Sequence, residues 1–286
     1  MTVAPPVVLT IAGFDPSSGA GITADIKTIA AHECFGVCCI TALTVQSTQG
    51  VNRIQPVDPQ IVGETLQELV SDLEIAAVHI GMLGTGPIAS VVTDFLIRAK
   101  LPHVVLDPVL KSSSGADLLD LAGSQVLIEK LLPLAEVVTP NRAEATVLTG
   151  LPVANLAQVQ TAAARLHALG SPNVVITGGD LEKATDLLSC ATSHGVQVEV
   201  FQSERLQSNS THGTGCAFST SLACHLAQGR PMAEAVLLSK AYVAAAIANA
   251  QPVGRGVGPL HHLFRMNRQR RARPAVPEGE GAHVRN

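Results

Sequence analysis

Aromatic side chains are scarce in this chain: its 286 residues include six Phe, one Tyr and no Trp. So few rings leave little for nucleic-acid bases to stack on, and a net charge of −4 gives no grip on a phosphate backbone. Both features argue against a nucleic-acid partner. Long apolar runs are also lacking. Uncharged stretches such as 206–229 are broken by Ser, Thr, Asn, Gln and His, so none spells a membrane span. A charged-then-apolar leader is missing from the start, where a strand-like run, Val7-Val8-Leu9-Thr10-Ile11-Ala12, comes almost at once. The expectation is a soluble cytoplasmic protein. No cysteine pair has the two-residue spacing of a zinc knuckle, and without a secretory leader a disulfide framework is not expected. Cys38 and Cys39 sit in an apolar run and read as buried thiols rather than as metal ligands beside His32 and Cys34. No Gly-Lys-Ser/Thr occurs, which removes a Walker-type phosphate loop.

What the chain does have is 47% hydrophobic residues, enough to bury a full core of Ala, Val, Leu and Ile. Short apolar runs at 7–12, 37–45, 76–80, 103–107, 136–139 and 173–177 alternate with helical patterns at 22–32, 59–72, 87–99, 123–132 and 155–169. That alternation predicts parallel βαβ units and an open sheet covered on both faces. Segments 184–190 and 196–201 flank Ser193-His194-Gly195 and predict a half-exposed hairpin, followed by helices at 214–228 and 231–249. Residues 1–265 form one domain in this reading, and 266–286 a disordered tail. Polar and glycine clusters fall at the carboxyl ends of six predicted strands, where open parallel sheets bind ligands.

The most informative segment is Thr211-His212-Gly213-Thr214-Gly215-Cys216, at the start of a predicted helix. Glycine admits a ligand close to the backbone, and a helix N-terminus offers unpaired N–H groups to an anion. Cys216 falls in the first turn, where the helix dipole would favour a thiolate. A phosphate cradle beside a candidate base suggests phosphoryl transfer. Gly19-Ala20-Gly21-Ile22-Thr23-Ala24 fits a dinucleotide fingerprint only weakly, because six residues separate it from its strand and no acidic residue lies between Cys34 and Val57. Asp25 reads either as a helix-start carboxylate or as an acceptor facing the site. Gln46 follows an apolar strand, and its amide could recognise the edge of a nitrogen heterocycle. Asn141 and Glu144 have the spacing of an N-cap and its N3 partner, and the alternative role for Glu144 is holding Mg²⁺ through water, with Asp107 as a second carboxylate.

These motifs resemble the bacterial hydroxymethylpyrimidine/phosphomethylpyrimidine kinases. The likeness is carried by Asp15-Pro16-Ser17, Gly19-Ala20-Gly21-Ile22, Ala24-Asp25-Ile26-Lys27-Thr28, Ile80-Gly81-Met82-Leu83, Leu106-Asp107-Pro108-Val109, Thr139-Pro140-Asn141, Thr211 to Cys216 and Gly256-Val257-Gly258-Pro259, and it runs in order over residues 7–265. The resemblance implies a three-layer, ribokinase-like α/β fold with a mostly parallel central sheet and a short hairpin, a homodimer, and ATP with Mg²⁺. It implies phosphorylation of 4-amino-5-hydroxymethyl-2-methylpyrimidine and then of its monophosphate, in thiamine biosynthesis. It places Gln46, Asp25, Gly13, Met82 and Val109 at the pyrimidine, Asp107, Asn141, Glu144, Thr177 and Thr214 at the nucleotide, and Glu144 and Asp107 at the metal. Catalysis falls to Cys216 with Gly213 and Gly215. Two departures stand out: Thr177 occupies a position where the family often has Lys, and Lys111-Ser112-Ser113-Ser114-Gly115 replaces the usual loop. A pyridoxal or pyridoxine kinase on the same scaffold is the near alternative, and a non-catalytic ligand-binding relative the distant one.

Overall fold

The computed structural model describes residues 4–112, 114–179 and 183–266, so the expected tail lies almost wholly outside the described residues. Six strands run parallel: β1 (Val7–Phe14), β2 (Phe35–Ser47), β4 (Ile75–Ile80), β5 (Val104–Leu106), β6 (Val137–Val138) and β7 (Asn173–Ile176). Antiparallel strands complete the sheet at each edge: β3 (Gly50–Pro56) on β2, then β8 (Lys183–Thr192) and β9 (Gly195–Glu204) beyond β7. The order is β3-β2-β1-β4-β5-β6-β7-β8-β9. The chain therefore leaves β1 toward β2 and returns to β4 on its other side, which opens a crevice at the carboxyl end of β1.

Side-chain alternation along the buried strands divides the core into two layers. Leu9, Val78, Leu106 and Val174 pack on one face against α2 (Pro59–Asp72), α3 (Gly86–Ala99), α5 (Arg142–Thr149) and α6 (Leu156–Ala168). Their neighbours Val8, Ala77, Val105 and Val175 pack on the other against α1 (Gly21–Ala31), α7 (Thr214–Ala227) and α8 (Met232–Ala248). The three expected layers are present. The helix expected at 123–132 begins two residues earlier as α4 (Leu121–Val126), because Asp120 caps it by accepting from the Gly123 N–H at 2.6 Å, and it continues as a π turn (Leu127–Leu131) up to Pro133.

One strand was not anticipated. The β3 sequence Gly-Val-Asn-Arg-Ile-Gln-Pro has no strict alternation, and β3 forms because β2 runs on past the layers to meet it. That extension leaves Leu43 and Val45 exposed. All six cysteines are free, with Cys39 buried and Cys38 half-buried. Among the described residues no cluster of three His, Cys, Asp or Glu could hold a metal.

Candidate active site

Two helix N-termini meet at the crevice. Helix α7 starts at Gly213, whose φ of 83° is left-handed, and a Cβ there would lie 1.9 Å from the Gly19 carbonyl oxygen. Only glycine combines that dihedral with that approach. Gly19 is equally tight: a Cβ on it would stand 2.3 Å from Cδ2 of His212. The glycines that resembled a dinucleotide fingerprint therefore let the α7 turn settle on the start of α1. Helix α1 has no side-chain cap, and the Gly21 N–H points at the Cys216 sulfur. Gly215 and Cys216 occupy the first turn of α7, where no intrahelical carbonyl precedes them. The amides of Gly215 and Cys216 make a donor pair suited to phosphate oxygens, with the Gly21 N–H holding the thiol beside them.

Residues 212–216 join the two ends of the site. At one end His212 Nε2 lies 3.2 Å from the Gln46 amide and 2.9 Å from Asp15 Oδ2. At the other, the Cys216 thiol donates to the Asp107 carboxylate, and a Cβ on Gly215 would lie 3.8 Å from Asp107 Oδ2. Gly13 faces Met82, whose Sδ would stand 2.7 Å from a Cβ on residue 13. Met82 packs with Ala42 and Leu118, and Val109 lies against them, so the two side chains expected at the ring share one apolar cluster. An open cavity of about 390 Å³ lies on the other side of Gln46 and His212, lined by Ser114, Arg255 and Val257; Met82 and Val109 do not line it.

The residues expected at the nucleotide come from three strand ends. Asn141 and Glu144 make a complete capping box: Asn141 Oδ1 accepts from the Glu144 N–H and Glu144 Oε2 from the Asn141 N–H, each at 2.9 Å. The structural role read from their spacing is thus real. Glu144 also accepts from the Leu110 N–H, which ties α5 to the loop after β5. Thr177 pairs with Asn141, its N–H donating to the Pro140 carbonyl at 3.0 Å. Lys111, a possible replacement for the family lysine, is paired with Asp117 at 3.1 Å in an exposed ion pair. A largely buried cation tied to the turn after Thr177 is Lys240 of α8. It binds Asp186 at 2.7 Å, whose other oxygen accepts from the Gly178 N–H at 3.0 Å.

Electrostatics correct three expectations. Burial pushes the Cys216 thiol well above its usual range, and the charges of Asp107 and Asp25 push it further. The dipole of α7 does not overcome this, so the thiol is neutral rather than a favoured thiolate. Asp25 does not face the site. It is fully buried beneath it, accepting from Thr10 at 2.7 Å and Thr220 at 2.9 Å, with His79 Nδ1 at 3.4 Å. Burial disfavours the imidazolium of His79, but the Asp25 charge outweighs it and the pKa rises. Thr214 gives both its hydroxyl (2.7 Å) and its N–H (3.3 Å) to the Thr211 carbonyl in the same turn, so both donors are already engaged.

The carboxylates of the site are also shifted. Burial raises Asp107 to about 6, despite the opposing charge of His79 and the thiol hydrogen bond. Burial and the charge of Asp107 raise Glu144 to about 8. Two carboxylates that repel in this way suit a shared divalent cation, so Glu144 and Asp107 fit Mg²⁺ held through water. His212 and Asp15 were missed as site residues. His212 stands inside the glycine turn, but nothing in its local sequence shows that it reaches Gln46, 166 residues away.

The family model described as phosphomethylpyrimidine kinase matches residues 15–261. The chain belongs to the phosphomethylpyrimidine kinase family. A hydroxymethylpyrimidine/phosphomethylpyrimidine kinase of Haemophilus influenzae is 41% identical over 260 residues, covering 89% of this chain and 96% of that protein. A thiamine biosynthesis bifunctional protein of Geobacter sulfurreducens is 42% identical over 259 residues, but this chain spans only 52% of its length. Among solved structures, a pyridoxal kinase of Bacillus subtilis in complex with ADP superposes with a TM-score of 0.83 at 33% identity, covering 92% of this chain and 100% of that one. This phosphomethylpyrimidine kinase relative is therefore a phosphotransferase with the three-layer ribokinase-like fold. No helix among its described residues is long and apolar enough to cross a membrane.

Proposed function

We propose that this kinase transfers the γ-phosphoryl group of ATP to the hydroxymethyl oxygen of 4-amino-5-hydroxymethyl-2-methylpyrimidine, and then phosphorylates the monophosphate to the diphosphate for thiamine biosynthesis. The observation that carries the reading is the 212–216 turn, which joins Gln46 to Asp107. The pyrimidine lies between Gln46 and the apolar cluster of Met82 and Val109, with its alcohol toward Cys216. In the transfer, the alcohol oxygen bonds to phosphorus as the bond to the β-phosphate oxygen breaks and ADP leaves. The amides of Gly215 and Cys216 stabilise charge on the transferring oxygens. The alcohol proton passes to the Cys216 sulfur as the thiol gives its own proton to Asp107, because a neutral thiol cannot act as a base alone. Mg²⁺ at Glu144 and Asp107 would supply charge neutralisation at the phosphates. We place the enzyme in the cytoplasm as a homodimer, with the exposed Leu43 and Val45 of β2 as candidates for the covered face.

Pyridoxal phosphorylation is the second reading, favoured by the superposition on a pyridoxal kinase. A product assay with ATP and each alcohol separates the two. The pyrimidine diphosphate is the expected product, and faster turnover of pyridoxal would overturn the first reading. Failure to phosphorylate either alcohol would leave a non-catalytic relative.

A further inference from the structure

Gln46 is held by partners whose proton count fixes its sense. Thr44 Oγ1 lies 3.0 Å from the Phe14 carbonyl oxygen and 3.1 Å from Gln46 Oε1, while Gln46 Nε2 lies 3.2 Å from His212 Nε2. Thr44 has one proton, and the Phe14 carbonyl can only accept it. Although burial favours its neutral form, Asp15 is held down at about 2 by hydrogen bonds from His212 and Ser17, so near neutral pH it also only accepts. His212 Nε2, 2.9 Å from Asp15 Oδ2, must then carry a proton. An amide oxygen facing a spent hydroxyl and an NH₂ facing an N–H are both mismatched. Turning the amide by half a rotation removes both conflicts. Its NH₂ then donates to Thr44, and its oxygen shares the His212 proton with Asp15.

We propose that His212, anchored by Asp15, and Thr44 lock the Gln46 amide in this one sense and make it the selector between heterocycles. The proposal rests on the aminopyrimidine reading above. One N–H and one oxygen lone pair of Gln46 remain for a ligand, in fixed order. Beside its hydroxymethyl carbon, the aminopyrimidine offers an amino donor and then a ring-nitrogen acceptor. Pyridoxal offers an aldehyde acceptor where the aminopyrimidine has its amino donor, so the order is not matched. A locked amide matches only one of these, whereas a free amide can turn to suit either. His212 is thus a positioning residue, seated there because Gly19 has no Cβ to block its ring.

The first test needs no substrate. Long-range ¹H–¹⁵N spectra of the ¹⁵N-labelled protein, with His212 identified by its loss in His212→Ala, should show Nε2 protonated; an unprotonated Nε2 would overturn the lock. In kinetics, His212→Ala should raise KM for the aminopyrimidine alcohol about tenfold, the usual effect of one lost hydrogen bond, with a smaller change in kcat. Preference over pyridoxal should fall by a similar factor. Thr44→Val should behave likewise, while Thr44→Ser should keep the wild-type preference. Unchanged preference in both His212→Ala and Thr44→Val would refute the proposal. A wild-type enzyme that does not phosphorylate the aminopyrimidine would instead sink the underlying function, and the spectra would still judge the lock.

Discussion

Gly213→Ala gives the sharpest test of the site's construction. The new methyl group would arrive 1.9 Å from the Gly19 carbonyl oxygen, about 1.5 Å short of ordinary contact. That neighbour is backbone at the start of α1 and cannot swing aside as a side chain would. Alanine at φ 83° also incurs the left-handed penalty, about 1–2 kcal/mol. That penalty is the lower bound of the thermal cost, because the forced backbone shift adds to it, so Tm should drop by at least several degrees. A catalytic cost follows, because the only relief is to move the α7 turn away from α1. A displacement of about 1 Å between reacting groups costs roughly 100-fold in rate. Single-turnover phosphorylation with saturating ATP, beside a melting curve, reads both quantities. A folded variant with kcat within threefold of wild type would show that the convergence of α1 and α7 does not serve catalysis.

Cys216→Ala should lower kcat by about 10²–10⁴-fold while pyrimidine binding, measured by calorimetry, persists; unchanged turnover would remove the thiol from the proton path. Acid stability follows from His32 and His262, both buried. Burial lowers each to about 4 from an ordinary 6.5, so their contribution is complete above 6.5 and is lost as pH falls toward 4. Roughly 2 kcal/mol per histidine should disappear between pH 7 and 5. The raised Asp107 and Glu144 oppose this, because they favour the folded state over the same interval. The histidine part is read as the difference between wild type and His32→Gln in urea unfolding. Lys240→Met leaves Asp186 buried without its cation and loosens the Gly178 turn. About 3–5 kcal/mol of stability should be lost, with a raised KM for ATP, and a loss below 1 kcal/mol would contradict the assigned pair.

Much of the architecture is written in local sequence. Runs such as Ala76 to Ile80 and His103 to Asp107 are apolar because both faces of their strands are covered, so strand positions and a parallel sheet could be read directly. β3 could not, because its pairing depends on the length of β2 rather than on its own pattern. The capping box of α5 and the glycine turn of α7 were also legible, since both are contacts within a few residues of chain.

Charge and direction were not legible. Asp25 stands near a helix start in sequence, and only the packing of β1, β4 and α7 shows it sealed against His79, Thr10 and Thr220. Cys216 follows a helix N-terminus, which favours a thiolate, and the burial and carboxylate charges that reverse this come from Asp107 and Asp25, far away in the chain. His212 became a partner of Gln46 and Asp15 only once the glycines of two distant segments had met. The sequence by itself determined most of the backbone conformation and which apolar residues would be buried, because these depend on neighbours and periodicity. Tertiary structure decided protonation and hydrogen-bond order, because desolvation and Coulomb energy act through space between residues the chain keeps apart.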